Sequence, residues 1–441
     1  SNMTRMKDSG IEWIGEVPEE WGITKSKYFL DTNKGLTITK ENLIEDGIPV
    51  INYGQIHSKY GRSVSTVRDE LPQVSTNYLK FKQSLLNKGD FVFADTSEDI
   101  EGSGNFSTRI DDNGELFAGY HTIKAKLKNA LEHDFRYFMH YFDSVAFRKQ
   151  VQNKVSGIKV YSVTQSILQE TCLLLPSFIE QQRIADFLDK KVAQLDKVKS
   201  LLEEQIKTLE DYRQSLIYET VTKGLDKTVP LKDSGVDWIG QIPEGWGVKS
   251  IKHIFDVIGS GTTPDSSKTE YYDGDINWLQ SGDLYKTDYV DSVSKTITEL
   301  GYLSSASLKI YEAPFLAIAM YGASIGNLAI SKIDACVNQA VVVLKGKEDT
   351  VRFVKFGLEI SKSELIFAAQ GGTQPNINQV LIKNWLIPFP GEIEIREIAD
   401  FLDKKTEQIN QMIAIKKEQI ENINKQRQTL IYDYVTGKRR V

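Results

Sequence analysis

Apolar residues along this chain follow two rhythms. In two long tracts leucine or isoleucine returns at heptad spacing: Leu188, Leu195, Leu202, Leu209 and Leu216 in the first, with Ala185, Val192 and Ile206 at the intervening seam positions, and Leu402, Ile409, Ile413, Ile420, Ile423 and Leu430 in the second. That is the narrow stripe of a coiled-coil helix. Neither tract contains Gly or Pro, so each predicts a helix of roughly 40 residues, about 60 Å long. A narrow stripe cannot bury itself on an isolated helix, and the simplest solution packs the two long helices against each other as an antiparallel coiled coil. Docking of each stripe on a neighbouring globular part is the other solution. Lys199 and Lys416 interrupt the two stripes at comparable places. The first helix opens at Ser177 with Glu180 three residues on, the spacing of a capping box.

Elsewhere the apolar runs are short and bounded by turn residues, as in buried strands. Runs at 47–51, 90–94 and 122–125 mark the first half of the chain, and runs at 275–279, 315–319 and 340–344 mark the second. One helix is predicted over 133–152, where Phe135, Phe138, Met139, Phe142 and Phe147 form an apolar face. The uncharged stretch 313–330 has the length of a membrane helix. Pro314, Gly322, Ser324, Gly326 and Asn327 divide it into a strand, a turn and a second strand, so no membrane association is expected. Cys172 and Cys336 sit in apolar runs and read as buried core residues rather than a disulfide or a metal pair.

The chain also repeats itself. Lys7-Asp8-Ser9-Gly10-Ile11-Glu12-Trp13-Ile14-Gly15, followed by Pro18 and Trp21, returns as Lys232-Asp233-Ser234-Gly235-Val236-Asp237-Trp238-Ile239-Gly240, followed by Pro243 and Trp246. Ile184-Ala185-Asp186-Phe187-Leu188-Asp189-Lys190-Lys191 returns as Ile398-Ala399-Asp400-Phe401-Leu402-Asp403-Lys404-Lys405, and Leu216-Ile217-Tyr218 as Leu430-Ile431-Tyr432. The order is A-B-A′-B′, with a variable globular part between constant ends. An α+β protein follows: two mixed, mostly β units at 1–175 and 226–390, alternating with long helical units at 176–225 and 391–441.

Composition narrows the function. At 441 residues, 40% hydrophobic and 26% charged, the chain is expected to fold as a soluble protein of two or more domains. Its polar start lacks the apolar core of a signal peptide, which sets a cytoplasmic expectation. The formal net charge of −6 counts against a surface coated with phosphate contacts. A basic groove remains compatible with it if the acids lie elsewhere. No Walker sequence, His-Glu-x-x-His, zinc-spaced Cys/His cluster, Gly-x-Ser-x-Gly elbow or Asn-Pro-Pro-aromatic signature occurs, so no catalytic site, metal or cofactor is expected on this chain.

What the A units offer is amide, hydroxyl and basic side chains beside glycine turns. Asn and Gln pair bidentately with adenine and Lys and Arg with guanine, while Ser, Thr and Tyr reach phosphates. The candidates in the first unit are Asn52, Tyr53, Gln55, His57, Lys59, Arg62 and His121; in the second they are Thr262, Thr263, Gln280, Ser281, Tyr321, Ser324, Asn338, Gln339, Thr373 and Gln374. Each alone also suits a solvated turn or a core hydrogen bond, Asn338-Gln339 as a structural pair under a strand and His57 or His121 as ordinary imidazoles. Their clustering as a set points to a recognition surface.

These residues resemble the specificity subunits of type I restriction-modification systems. The resemblance rests on the Lys-Asp-Ser-Gly-x-x-Trp-Ile-Gly motif of both A units, on Gly261-Thr262-Thr263-Pro264 with Tyr271-Tyr272-Asp273-Gly274-Asp275-Ile276-Asn277-Trp278-Leu279, and on Pro176 with Glu180-Gln181-Gln182-Arg183-Ile184-Ala185. It implies that each A unit is a target recognition domain reading one half of a split, asymmetric sequence in double-stranded DNA. The helices would set the spacing and dock two methyltransferase subunits, joined in the full complex by restriction/translocase subunits. S-adenosylmethionine, ATP and Mg²⁺ would belong to those partners. The second helix departs from the family pattern with Glu394-Ile395-Arg396-Glu397, which suggests different partner contacts at its start. Two other readings stay open on the residues: a specificity subunit of another restriction system whose methylase and nuclease are fused, and a coiled-coil scaffold binding protein.

Overall fold

Residues 4–370 and 376–441 are described by the computed structural model of the chain. Two compact units divide it: Ser1–Glu203 with Glu418–Val441, and Glu204–Lys417.

The first unit is built on strands β1 (Leu30–Lys34), β2 (Ile48–Ile51), β3 (Phe91–Ala94), β4 (Phe106–Thr108), β5 (Phe117–Ala118) and β6 (Thr122–Leu127). An antiparallel sheet runs β4-β3-β6-β1, and β5 pairs parallel with β2 in a second sheet. Every residue of β3 is buried, because Phe91 and Phe93 enter one core while Val92 and Ala94 enter another with Ile51 and Ala118. A strand covered on both faces reads as a continuous apolar run rather than an alternation. Two helices cover the aromatic face, α1 (Phe135–Asp143) and α2 (Val145–Gln152), with the Phe142 ring 4.9 Å from Phe91. The single helix expected over 133–152 is therefore broken. Ser144 adopts an extended conformation, with ψ of 154°, its N–H and hydroxyl both donating to the Tyr141 carbonyl. Aromatic periodicity runs through the break, which is why the pattern alone missed it.

In the second unit the strands are β7 (Val257–Gly259), β8 (Tyr272–Leu279), β9 (Phe315–Ala319), β10 (Leu328–Ser331), β11 (Cys336–Val337) and β12 (Val341–Lys345), followed by helix α4 (Glu348–Ile360). The order β10-β9-β12-β7 and the parallel pair β8/β11 reproduce the first unit's arrangement. Leu316 and Ile318 stand where the first unit has Phe91 and Phe93, and they pack with Val342, Leu344, Phe353 and Phe356. One strand order thus holds an aromatic core in one unit and a more aliphatic one in the other. Cys336 is buried as expected, whereas Cys172 is only half-buried on its strand.

The long helices are α3 (Phe178–Lys223) and α5 (Glu392–Val435). In the first unit residues 178–203 run antiparallel to 418–435: the Phe187 ring lies 4.5 Å from Tyr434, and Arg427 donates to Asp196 at 2.9 Å. In the second unit 204–223 run antiparallel to 392–417. There Lys416, the interruption in the stripe, donates to Gln205 at 2.7 Å, and Arg213 shares a cleft with Asn410. The stripes are buried in both of the anticipated ways. Leu188, Val192 and Leu402 sink into globular cores, and Ile206, Ile409 and Ile413 are buried within the second unit. Leu195, Leu202, Leu209, Leu216, Ile420, Ile423 and Leu430 are half-buried.

The capping box at the first helix start is only half made. Ser177 Oγ accepts the Glu180 N–H at 3.3 Å, but the Glu180 carboxylate turns away to accept the Trp21 indole N–H at 3.0 Å. The family departure at the second helix start is interior at one position, that of Gln181 and Ile395. Gln181 is buried and holds the Asp134 N–H and the Pro176 carbonyl, while Ile395, one residue after Glu394, is buried among apolar side chains. That side chain faces a core in both copies, whereas Arg396 and Glu397 are exposed where the first copy has Gln182 and Arg183.

Candidate nucleic-acid interface

The parallel strand pair of each unit ends at one edge, and the candidate loops gather there. In the first unit the Gly119 N–H donates to the Ile51 carbonyl at 2.8 Å, the Leu36 N–H to Ala118 at 2.9 Å, and the Asp95 N–H to His121 at 3.0 Å. These bonds draw the turns after β2, β5, β3 and β1 together. In the second unit the Asn338 N–H donates to Leu279 at 3.1 Å and the Met320 N–H to Ala340 at 2.8 Å, which gathers the turns after β8, β11 and β9. Gly35 and Gly261 hold matching places after β1 and β7. A Cβ on either would collide with a backbone carbonyl, of Gly119 and Val337 respectively. Glycine is therefore what lets the fourth loop close onto the edge.

Several candidates in the first unit build this edge rather than project from it. Asn52 is fully buried and its Oδ1 accepts the Tyr120 N–H at 3.0 Å. Gln55 Oε1 accepts the Asn52 N–H at 2.9 Å. Tyr53 is half-buried, its ring 5.8 Å from Tyr120 and 5.2 Å from His121. His57 is fixed on both nitrogens, by the Thr96 carbonyl at 2.7 Å and the Asn105 amide at 2.9 Å. With Tyr53, Thr96 and Asp99 it lines a cleft of about 650 Å³. Lys59 is exposed. His121 is exposed too, at a left-handed φ of 53°, with Nδ1 3.2 Å from Asp95. Arg62 points inward: its guanidinium lies 2.5 Å from His140 Nδ1 and 3.2 Å from Asp143.

In the second unit Thr263, Tyr321 and Gln339 are exposed, and Thr262, Gln280, Ser281, Ser324 and Asn338 are half-buried. The Thr262 carbonyl accepts the Trp278 indole N–H at 3.2 Å, the Gln280 N–H donates to Asp283 at 2.8 Å, and Asn338 Oδ1 accepts the Ala340 N–H at 3.1 Å. Thr263 Oγ1 donates to Gln339 Oε1 at 2.7 Å. Thr373 and Gln374 lie outside the described residues.

Behind the loops, ion pairs that the sequence reading missed tie each globular part to the helices. Arg136 bonds Asp134, Asp186 and Asp189, and Arg352 bonds Asp349, Asp400 and Asp403 in the same way. The signal was present, since both Asp pairs belong to the repeated Ala-Asp-Phe-Leu-Asp motif. Asp143 is buried against Arg62, Arg148 and Arg427; burial pushes its carboxyl up, but the three guanidiniums hold it below the ordinary carboxylate range. In the second unit Arg213 pairs with Glu359, and buried Lys355 with Asp288 at 3.0 Å. His140 donates from Nε2 to Asp189 at 2.7 Å, and burial pushes its imidazole down to about 4 against the pull of that carboxylate.

Little here is poised for covalent chemistry. Among the described residues no group of three or more His, Cys, Asp and Glu side chains stands close enough to hold a metal ion. Burial pushes the Cys336 thiol up to about 12 and raises that of Cys172, which keeps both as thiols rather than nucleophilic thiolates. Among the described residues no helix is long and apolar enough to cross a membrane.

The family model described as the type I restriction modification DNA specificity domain matches residues 18–210 and 243–423. A putative type I restriction enzyme MjaX specificity subunit of Methanocaldococcus jannaschii is 23% identical over 441 residues, covering 97% of this chain and 96% of the relative. The type I restriction enzyme MjaVIII specificity subunit of the same organism is 27% identical, covering 96% and 94%. A solved structure from work on complex assembly and conformational transition of the type I R-M system matches with a TM-score of 0.70 at 17% identity, over 96% of this chain and 99% of that one, and shares its fold.

Proposed function

Because the chain belongs to the type I restriction-modification DNA specificity family, we propose that each of its two units reads one half of a split sequence in double-stranded DNA. The observation that carries this reading is the repeated edge. In both units loops from separate strands bring hydroxyl and amide groups, joined in the first by imidazoles, to the end of the corresponding parallel strand pair. Base edges are read by such groups on a rigid frame, while phosphate contacts fix register.

The long helices hold the two readers at a set spacing and present their outward faces to two methyltransferase subunits, with restriction/translocase subunits joining the full complex. S-adenosylmethionine, ATP and Mg²⁺ act on those partners, and this chain contributes recognition without catalysis. The relatives' designation as specificity subunits supports that division. The net charge of −6 fits a chain that binds DNA firmly only beside its partners.

A mobility-shift selection tests the reading. The chain with its methyltransferase partner, incubated with random duplexes, should retain those sharing two short motifs at a constant separation. Retention of duplexes with no common sequence would contradict it.

A further inference from the structure

Among the described amide side chains at the two loop edges, Gln339 is set apart by the way it is held. Asn52 is buried, and the oxygens of Gln55 and Asn338 accept backbone N–H groups of their own turns. Gln339 is exposed, between an Asn338 N–H bonded to Leu279 and an Ala340 N–H bonded to Asn338. Its Oε1 accepts the hydroxyl of Thr263 at 2.7 Å, from a loop placed by the close approach of Gly261 to Val337. An amide oxygen has two lone pairs and the amide nitrogen two hydrogens, so one acceptor site and both donors remain. A side chain ordered before contact loses less freedom on binding.

An acceptor and a donor side by side complement the N6–H₂ and N7 of adenine in the major groove. We infer that Gln339, oriented by Thr263, reads an adenine in the half-site of the second unit; this rests on the reading above that the loop edge faces DNA. In the first unit Tyr120 holds the matching place after β5. Its ring lies 5.8 Å from Tyr53 and 6.1 Å from His121, and it carries no amide. The two units therefore read this position by different chemistry.

The test uses the full chain with its methyltransferase partner, with the methylated motif read by modification-sensitive genome sequencing and discrimination measured by competition between duplexes. Gln339→Ala should relax one position of the second unit's half-site from adenine to any base, lowering discrimination there about 5- to 150-fold and leaving the other positions intact. Gln339→Glu keeps the shape but removes the donors, and should shift the preference toward cytosine, whose N4–H₂ a carboxylate accepts. Thr263→Val should weaken discrimination at the same position and Thr263→Ser should retain it. An unchanged motif in Gln339→Ala, or relaxation at a G·C position, overturns the assignment alone. A parent complex that yields no two-part motif overturns the assignment together with the reading beneath it.

Discussion

The Tyr432 hydroxyl, near the end of the second long helix, donates to the carbonyl of Ile14 at 3.3 Å and of Trp13 at 3.1 Å. Tyr218, near the end of the first, donates to Ile239 at 3.0 Å. Both are repeats of one bond: Leu-Ile-Tyr at a helix end on Trp-Ile-Gly at the start of a globular part. The indole N–H groups of Trp21 and Trp246 complete the pattern by donating to Glu180 and Glu394, each at 3.0 Å and each in the first turn of a long helix. Within each unit the globular part thus grips the start of one helix and the end of the other. The repeated motifs are the two halves of that grip.

The tryptophan bonds differ in their support. Arg440 lies 2.5 Å from Glu180, so Trp21→Phe leaves that carboxylate a partner. Hydrogen bonds to charged groups contribute about 1.5–3 kcal/mol. Trp246→Phe should destabilise its unit by about that amount and Trp21→Phe by less, measured by urea unfolding. Equal losses would show that Arg440 does not support Glu180.

Asp143 is the buried counter-charge of Arg62, Arg148 and Arg427. Removing one partner of a buried pair costs about 3–5 kcal/mol because the other charge stays desolvated. Asp143→Ala should cost that much in thermal or urea unfolding, and adding Arg427→Ala should recover part of it. Strict additivity of the two losses would contradict the coupling.

His140 gives the first unit an acid sensitivity. Its folded pKa of about 4 lies below the ordinary value of 6.5, so between these pH values the unfolded chain binds the extra proton. Stability should be unaffected by this group above about pH 6.5 and fall as the pH drops toward 4, by about 3 kcal/mol in all. The second unit carries Phe356, buried, at the matching place on α4. Unfolding measured across the pH series should show a flatter slope in this window for His140→Gln. Parallel profiles for the variant and the parent would exclude His140 as the source.

The fold was legible where the physics is local. Heptad leucines announced the long helices, short apolar runs announced the strands, and the repeat announced two related units. What escaped notice depends on residues far apart in the chain. The break at Ser144 is set by backbone bonds under an unbroken aromatic stripe. Glu180 satisfies a capping-box spacing yet serves Trp21, because the indole N–H reaches it from 159 residues away. At the candidate edge the residue types were readable but their roles were not. Asn52 and Gln339 are both amides after a strand, one buried under a turn and the other exposed. Arg62 read as a DNA contact, but α1 supplies Asp143 and His140 to draw it inward.

Helix length is predicted to set the unread spacer. Gln205 faces Lys416, so lengthening one helix alone would strand its partner. Matched insertions of four residues after Glu204 and after Lys417 add about 6 Å, close to two base pairs. Because four residues also introduce a stutter that unwinds the stripe locally, the expected gain in spacer is one or two base pairs with both half-sites kept, as read from the methylated motif. A changed half-site with the parental spacer would mean that the helices do not measure DNA.

The central claim is that the two units read independently, and exchange of one of them tests it most directly. Residues 20–170 are replaced by the matching segment of a relative, and the chimaera is expressed with the methyltransferase partner. The methylated motif is then mapped by modification-sensitive genome sequencing. One half of the two-part motif should change while the other half and the spacer remain. A motif altered in both halves, or in neither, would contradict the account.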